Sequence, residues 1–323
     1  NLMEQQKIKS KKSNKFDTQE TFELINKHIV DFTGYSEYKN NSKVLDLYVE
    51  GSNVSEIKKN EEGCMIIDPC PFYAESGGQI GDSGIIFSEN GKFLVHDTQK
   101  HGDTILIYGK QTEGFSKLNQ MVTSEIDKDK RESIKMNHSA THLLHSALIN
   151  NIGKNVQQKG SLVSDTKLRF DFSCEKSISK KTLNAIENEV NNYIDKNIPS
   201  ETKLMDKERA IEQGAMALFG EKYDDNVRVL SFGDVSVELC GGTHVNNTGD
   251  INVFKILSES SISSGIRRIE AITGMSAENY LKKRDTLVSE ICQTLNVQDE
   301  ELNSKVSAIL DDNKKLKNFN NLS

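Results

Sequence analysis

The spacing of hydrophobic residues changes along the chain and marks out regions of different secondary structure. Between residues 17 and 32, hydrophobic side chains recur every three or four positions, and this spacing predicts an amphipathic helix. From about residue 42 to 127, short hydrophobic runs alternate with turn residues, a pattern typical of a small antiparallel barrel or sandwich. The predicted strands lie at 44–49, 65–67, 84–87, 93–96 and 105–108.

Helical and strand-like patterns mix in the second half of the chain. Residues 131–151 and 180–196 have helical spacing, and 162–163 with 168–172 is a predicted hairpin. Further strands are predicted at 227–230, 235–239, 253–257 and 268–272, and the helical pattern returns from residue 276. The predicted fold class is α+β, with a small antiparallel β-barrel, a two-layer α+β domain and a C-terminal helical segment. The predicted domains are 1–40 (helical lead-in), 41–128 (barrel), 129–275 (α+β) and 276–323 (start of a helical domain).

The charge balance excludes one class of nucleic-acid-binding protein. The 323 residues carry 41 Lys and Arg against 48 Asp and Glu, a formal net charge of −7. This excludes a uniformly basic coat for nucleic acid but leaves room for a local basic patch. Five lysines within residues 1–16 are interpreted as a solvated helix or tail in preference to an RNA contact.

The sequence also indicates the cellular compartment of the protein. No hydrophobic run approaches the roughly 18 residues that span a bilayer, and no signal peptide is visible at the N-terminus. Five cysteines at irregular spacing fit a reducing environment, where metal binding or reactivity is expected in preference to disulfides. We therefore expect a cytoplasmic protein without a membrane partner. Because the chain begins with Asn1 and not Met, we also expect it to be a piece of a longer protein.

Two distant segments carry residues that bind metals. His138 and His142 lie four residues apart in a predicted helix, so their imidazoles share one face. Cys240 and His244 bracket a glycine pair, which favours a loop that can turn both side chains inwards. Three imidazole nitrogens and one thiolate suit tetrahedral Zn²⁺. His145 extends the helical face as an alternative ligand, although a core or supporting position fits it better.

The same motifs exclude several enzyme classes. A zincin needs Glu after the first His, and Ser139 stands there instead. The sequence contains no P-loop, no dinucleotide-binding glycine triplet and no Gly-x-Ser-x-Gly elbow. Nucleotide hydrolysis, dehydrogenation and α/β-hydrolase chemistry are therefore unsupported.

Two further segments have open interpretations. Four glycines within residues 77–84 indicate either paired β-turns or a close approach to a ligand. Arg267 and Arg268 follow a Ser/Gly loop, where a guanidinium group can bind phosphate or carboxylate. An ion pair with Glu270 is an equally good interpretation.

Taken together, these motifs resemble the editing region of bacterial alanyl-tRNA synthetase. The His and Cys-His segments are also similar to those of threonyl-tRNA synthetase editing domains and of AlaX-type deacylases. One departure is Cys70, where the family usually has Thr. The matching segments run in family order over about residues 64–275, at 71–79, 138–145, 158–163, 168–172, 217–223, 238–245 and 265–271.

The resemblance implies a function. The editing region hydrolyses the ester of tRNA(Ala) mischarged with serine or glycine, in a zinc-dependent reaction. The ATP-binding ligase domain of the full-length enzyme is not expected in this chain. The resemblance implies zinc ligands at His138, His142, Cys240 and His244, an editing pocket at Gln158, Thr141, Gly77, Gly78 and Gln79, and tRNA contacts at Arg267, Arg268, Lys159 and Lys222. Within that pocket, Gln158 is expected to require the serine hydroxyl.

Alternative interpretations remain. The chain is either the editing part of a synthetase or a free-standing trans-editing deacylase. A non-catalytic RNA-binding module with a structural zinc ion is the alternative from another class. Hydrolysis by a zinc-activated water and hydrolysis assisted by the terminal hydroxyl of tRNA both stay open. Self-association through the C-terminal helices is a further expectation.

Overall fold

The computed structural model describes residues 28–217 and 224–320. The described residues up to Thr273 belong to one compact unit, and those from Gly274 onwards form a second. Both helices and antiparallel sheets are present, which confirms the predicted α+β class.

Within residues 28–127, six strands close into an antiparallel barrel in the order β1-β4-β7-β6-β5-β8, and β8 returns to β1. Two short strands pair outside this ring, β2 with β1 and β3 with β7. The barrel strands are β1 (Lys39–Val49), β2 (Ser52–Asn53), β3 (Glu56–Lys58), β4 (Glu62–Asp68), β5 (Gly84–Ser88), β6 (Gly91–His101), β7 (Thr104–Lys117) and β8 (Met121–Ile126).

Alternating side chains from these strands fill the barrel. Leu47, Met65, Phe93 and Ile107 are fully buried, and burying each contributes about 1.5–3 kcal/mol. The hydrophobic pattern misses β8 because Ser124 is one of its inward residues. The hydroxyl of Ser124 lies 2.9 Å from that of Ser42.

The predicted helix at 17–32 is wrong where the structure describes it. Residues 28–33 are not helical, and residues 17–27 lie outside the described residues, as do the lysines of 1–16. The backbone of this segment bonds to the residues after β4 instead. Cys70 N donates to Asp31 O at 2.9 Å, and Thr33 N donates to Cys70 O at 3.0 Å. Packing of Val30 into the barrel core outweighs the helical pattern.

The α+β part of the chain follows the barrel and belongs to the same unit. Its described residues form a four-stranded sheet, β14-β15-β10-β9, and a three-stranded sheet, β11-β12-β13. The long helix α1 and the helix α2 pack with these sheets around one core. The elements are α1 (Lys128–Ile152), β9 (Gln158–Val163), β10 (Leu168–Ser173), α2 (Lys180–Asp195), β11 (Ser200–Asp206), α3 (Lys207–Glu212), β12 (Asn226–Phe232), β13 (Ser236–Leu239), the 3₁₀ helix η1 (Thr248–Ile251), β14 (Phe254–Ser263) and β15 (Ile266–Thr273).

Helix α1 positions the functional residues. Asp127 caps its start by accepting a hydrogen bond from Lys130 N at 3.1 Å, and Gly153, whose φ is 132°, follows its last residue. Leu144 and Leu148 on one face enter the core. The consecutive residues 137–148 are all buried, so α1 is covered all round along this stretch. Polar side chains there must therefore find partners within the protein.

The second unit is helical, as the pattern from residue 276 predicts. It contains α4 (Gly274–Leu295), the 3₁₀ helix η2 (Asp299–Glu301) and α5 (Leu302–Asn320). In the part of the chain that the structure describes, no helix is both long and hydrophobic enough to cross a bilayer. Self-association through α4 and α5 stays a prediction.

Candidate metal centre

Four potential metal ligands meet between α1 and the loop after β13. Among the described residues, the ligand atoms of His138, His142, Cys240 and His244 all lie within 4.8 Å of one another. Cys240 Sγ is 3.2 Å from His244 Nε2 and 3.6 Å from His138 Nε2. A tetrahedral zinc ion with ordinary bond lengths separates its ligand atoms by about 3.3–3.6 Å. The spacing therefore fits one ion.

Local structure explains how distant residues meet here. The imidazoles of His138 and His142 stack one helical turn apart, with ring centroids 5.3 Å apart and an interplanar angle of 14°. Strand β13 ends at Leu239, so Cys240 begins a loop that folds back over α1. The ring of His244 then lies 4.3 Å from that of His138 and 4.9 Å from that of His142.

Each imidazole is held through its Nδ1 atom by a neighbouring polar side chain. The contacts join His138 Nδ1 to Gln79 Oε1 at 2.8 Å, His142 Nδ1 to Glu238 Oε2 at 2.9 Å, and His244 Nδ1 to Ser139 Oγ at 3.2 Å. Such contacts leave Nε2 of each ring available for a metal. His142 Nε2 is buried without a hydrogen-bond partner among the described residues. A buried unpaired nitrogen of this kind fits a metal ligand.

The electrostatics favour a thiolate at the centre. Burial raises the pKa of the Cys240 thiol, but the imidazoles of His138, His244 and His142 outweigh burial and hold that pKa well below its usual range. Burial and the neighbouring His138 lower the pKa of His244 to about 3. A neutral imidazole and a thiolate are the forms of these side chains that bind metals.

Glu238 carries the charge that orients His142. Burial lowers the pKa of His142, but Glu238 and Cys240 outweigh it and raise that pKa to about 10. The same contact holds the pKa of the Glu238 carboxyl below its usual range, against the effect of burial. Ser236 Oγ donates to the other carboxylate oxygen at 2.8 Å. Sequence reasoning missed Glu238, although it lies in β13, only two residues before Cys240.

The two loop glycines differ in their surroundings. A Cβ atom at Gly242 would lie 2.1 Å from His138 Cε1 and 3.0 Å from Gln79 Oε1. A Cβ atom at Gly241 would meet nothing within 4 Å, and Gly241 is exposed. The chain therefore needs glycine at 242 so that the loop can approach the imidazole.

His145 lies one turn beyond the cluster and is not part of it. Its side chain is buried, with Nδ1 3.7 Å from Glu238 Oε1 and the ring centroid 5.3 Å from that of Phe170. Neither ring nitrogen has a hydrogen-bond partner among the described residues.

The structure places the predicted pocket residues in different surroundings. Gln79 is fully buried against the cluster, where its side chain donates to Thr243 Oγ1 at 3.0 Å and accepts from Thr243 N at 3.0 Å. Thr141 Oγ1 donates to the helical carbonyl of Asn137 at 2.8 Å, so its hydroxyl is engaged within α1. Gln158 is half-buried at the start of β9.

Gly77 and Gly78 form a left-handed turn beside β9. Their φ angles are 58° and 83°, which glycine adopts readily. Val163 N donates to Gly78 O at 2.7 Å, and a Cβ atom at Gly78 would lie 2.7 Å from Ser161 O. The glycine-rich segment therefore packs against β9 of the four-stranded sheet. Gln79 is the next residue, and its side chain reaches the metal cluster.

The arginines proposed to contact tRNA already have carboxylate partners. Arg268 binds Asp171 with two hydrogen bonds of 2.7 and 2.8 Å, and Arg267 binds Glu259. Glu270 forms its ion pair with Lys167 at 2.6 Å. The predicted ion pair between Glu270 and an arginine is therefore wrong about the partner of Glu270.

The two predicted lysine contacts are less defined. Lys159 is exposed, and its Nζ donates to Gln157 Oε1 at 3.1 Å. Lys222 lies outside the described residues. Contact between tRNA and any of these four basic residues stays a prediction.

Comparison with protein families agrees with this geometry. Residues 1–130 match the family described as tRNA synthetases class II (A). Residues 227–270 match the threonyl and alanyl tRNA synthetase second additional domain, and this match includes Cys240 and His244. The two matches together support an editing-domain region of a tRNA synthetase, which confirms the resemblance to an editing region.

Proposed function

We propose that this chain is a zinc-dependent deacylase that removes serine or glycine attached in error to tRNA(Ala). The observation that carries the proposal is the convergence of three imidazoles and one thiolate within the region matched by the editing-associated family. Editing-type domains of this family support proofreading by ester hydrolysis. The resemblance to alanyl-tRNA synthetase supports tRNA(Ala) as the substrate.

The donor set supports zinc as the metal. Imidazole and thiolate ligands at these separations suit Zn²⁺ better than magnesium or calcium, which prefer oxygen ligands. When bound, the ion would supply a positive centre that polarises the ester or a water molecule beside it. Gln79, Ser139 and Glu238 would keep the imidazoles turned towards it.

Exposure of the loop indicates where a substrate reaches the centre. The three imidazoles are buried, with 8% exposure at most, whereas Cys240 is partly exposed and Gly241 is exposed. The buried imidazoles therefore close one side of the metal centre, and the loop lies on the side that is open to solvent. A flexible single-stranded CCA end of tRNA can enter such a site, whereas a duplex cannot.

Selectivity requires a group that recognises the serine hydroxyl. A pocket with a buried polar partner for that hydroxyl disfavours alanine by about 1–3 kcal/mol, because the partner is left unpaired. We assign this position to Gln158, whose side chain is half-buried at the start of β9. Thr141 suits the task less well, because its hydroxyl already bonds within α1.

The proposal is tested by hydrolysis of Ser-tRNA(Ala) and Ala-tRNA(Ala) side by side. We expect the serine ester to be hydrolysed roughly 5–150-fold faster, as about 1–3 kcal/mol of discrimination implies. Gln158→Ala should remove most of this preference, whereas Gln157→Ala, which changes the exposed neighbour, should keep it. Equal hydrolysis of both esters by the wild-type protein would contradict the proposed selectivity. Binding of tRNA without any hydrolysis would identify an RNA-binding module instead.

A further inference from the structure

The three consecutive carbonyl groups of the metal loop all accept hydrogen bonds from outside the loop. Arg228 Nη1 donates to Cys240 O at 2.9 Å and to Gly242 O at 3.0 Å, and the Tyr35 hydroxyl donates to Gly241 O at 2.6 Å. Cys240 N in turn donates to Arg228 O at 3.0 Å. Two of the three loop residues are glycine and have no side chain to anchor them, so these contacts restrain the loop backbone.

The two hydrogen-bond donors, Arg228 and Tyr35, also contact each other. The guanidinium carbon of Arg228 lies 4.4 Å from the centroid of the Tyr35 ring, a cation–π contact. Arg228 Nη2 donates to Thr202 Oγ1 at 3.2 Å, and Phe32 packs edge-on against Tyr35 with ring centroids 4.9 Å apart. Each donor is therefore fixed by a contact outside the loop as well as by its partner.

The orientation of the loop backbone sets the position of the thiolate. With its carbonyl groups turned towards Arg228 and Tyr35, the loop turns the N–H of Gly242 towards Cys240 Sγ, at 3.4 Å. That sulfur then faces Nε2 of His138 and of His244. Rotation of either glycine peptide would break this arrangement, because the amide and carbonyl of one peptide turn together.

We infer that Tyr35 and Arg228 are positioning residues that hold the Cys240–Gly242 loop in its metal-binding conformation. Neither residue is a metal ligand, and neither follows from the motifs that identify the site. Tyr35 precedes the barrel and lies 206 positions before Gly241 in the chain. It lies in the segment matched by the class II synthetase family, whereas Gly241 lies in the segment matched by the editing-associated family. The Tyr35 contact therefore connects the two matched segments at the metal centre.

This inference rests on the metal centre of the proposed function, and metal affinity tests it without any tRNA. Zinc affinity of the purified chain is measured by competition with a chromogenic chelator, for the wild type, Tyr35→Phe and Arg228→Met. Loss of groups that support a metal ligand typically weakens binding 10–100-fold, so we expect a change of about that size for Arg228→Met and a smaller one for Tyr35→Phe. The spectrum of bound Co²⁺ should also shift in both variants, because the thiolate moves.

Matched controls separate positioning from general stability. Tyr38→Phe removes a hydroxyl that donates to Glu132, and Arg209→Met changes an exposed residue of α3. Both controls should keep wild-type zinc affinity. Arg228→Lys should recover only part of the affinity, because one ammonium group cannot reproduce the planar fork of arginine.

The outcomes distinguish this inference from the proposed function. Wild-type zinc affinity and an unchanged Co²⁺ spectrum in both Tyr35→Phe and Arg228→Met would overturn the inference, even if their melting temperatures fell. A wild-type protein that binds zinc but hydrolyses no ester would overturn the proposed function alone and leave the inference standing. A wild-type protein that binds no zinc would overturn both.

Discussion

A methyl group added at Gly242 is expected to abolish metal binding. In Gly242→Ala the new Cβ atom would lie 2.1 Å from Cε1 of His138, far inside van der Waals contact. The neighbouring Gln79 amide crowds the same position at 3.0 Å, so neither group can yield without losing their shared hydrogen bond. The imidazole must then move away from the thiolate. We expect elemental analysis to find one zinc ion per chain in the purified wild type and almost none in the variant.

The adjacent glycine provides a matched control. In Gly241→Ala the added methyl group meets nothing within 4 Å, so the protein should fold and bind zinc as the wild type does. If both variants kept their zinc, the loop would not approach His138 as described. If both variants lost their zinc, the loop would be sensitive to any added side chain, and the contact with His138 would not explain the loss.

Removal of the Arg131 guanidinium group is expected to destabilise the fold by about 3–5 kcal/mol, the usual cost of breaking a buried ion pair. Arg131 at the start of α1 binds the Asp82 carboxylate of the barrel segment, and both side chains are 2% exposed. The guanidinium also donates to Gly34 O at 2.5 Å and Pro71 O at 3.2 Å. Arg131→Met would leave the carboxylate buried without a counter-charge. Urea unfolding at neutral pH measures the loss.

Two comparisons check the origin of this effect. Lys167→Met breaks the partly exposed pair with Glu270 and should cost at most about 1 kcal/mol. The double variant Arg131→Met with Asp82→Asn should recover part of the loss, because it removes the uncompensated charge. A double variant no more stable than Arg131→Met would show that lost packing, and not charge, dominates.

The loss in Arg131→Met should also depend on pH. Burial raises the pKa of Asp82 above its usual value, and Arg131 opposes that shift. Without Arg131 the pKa of Asp82 rises further. A carboxyl group whose pKa is higher in the folded state favours folding when protonated, and this advantage disappears as pH rises through the folded pKa. The difference in stability between the variant and the wild type should therefore be smaller at pH 5 than at pH 8.

Periodicity along the chain predicts the parts of this fold in which hydrophobic residues repeat. The long helix α1 and the core strands of the barrel follow that pattern closely, because burial of one face determines each element. Strand β11 escapes prediction because it is largely exposed and is held by backbone pairing to β12. The segment at residues 28–33 has a helical pattern, but its backbone bonds to Cys70, and no local feature of the sequence indicates this contact.

The candidate site also has a part that the sequence predicts and a part that it does not. Four residues with metal-binding chemistry are visible as two short motifs, because a helical turn and a glycine pair are local features. Their supporting partners are not visible. Gln79 reaches His138 from a different motif, and Tyr35 reaches Gly241 from 206 positions away. Such pairs are set by tertiary packing, so only the three-dimensional structure identifies them.

Reconstitution of the metal-free protein tests the central claim most directly. The chain is stripped with a chelator, and the rate of Ser-tRNA(Ala) hydrolysis is followed as zinc is added back. We predict that hydrolysis disappears on stripping, returns in proportion to zinc up to one equivalent per chain, and does not return in Cys240→Ala. Cys174→Ala, which changes a cysteine outside the cluster, should behave as the wild type. Hydrolysis at the full rate by the stripped protein would contradict a role for the four converging side chains in the reaction.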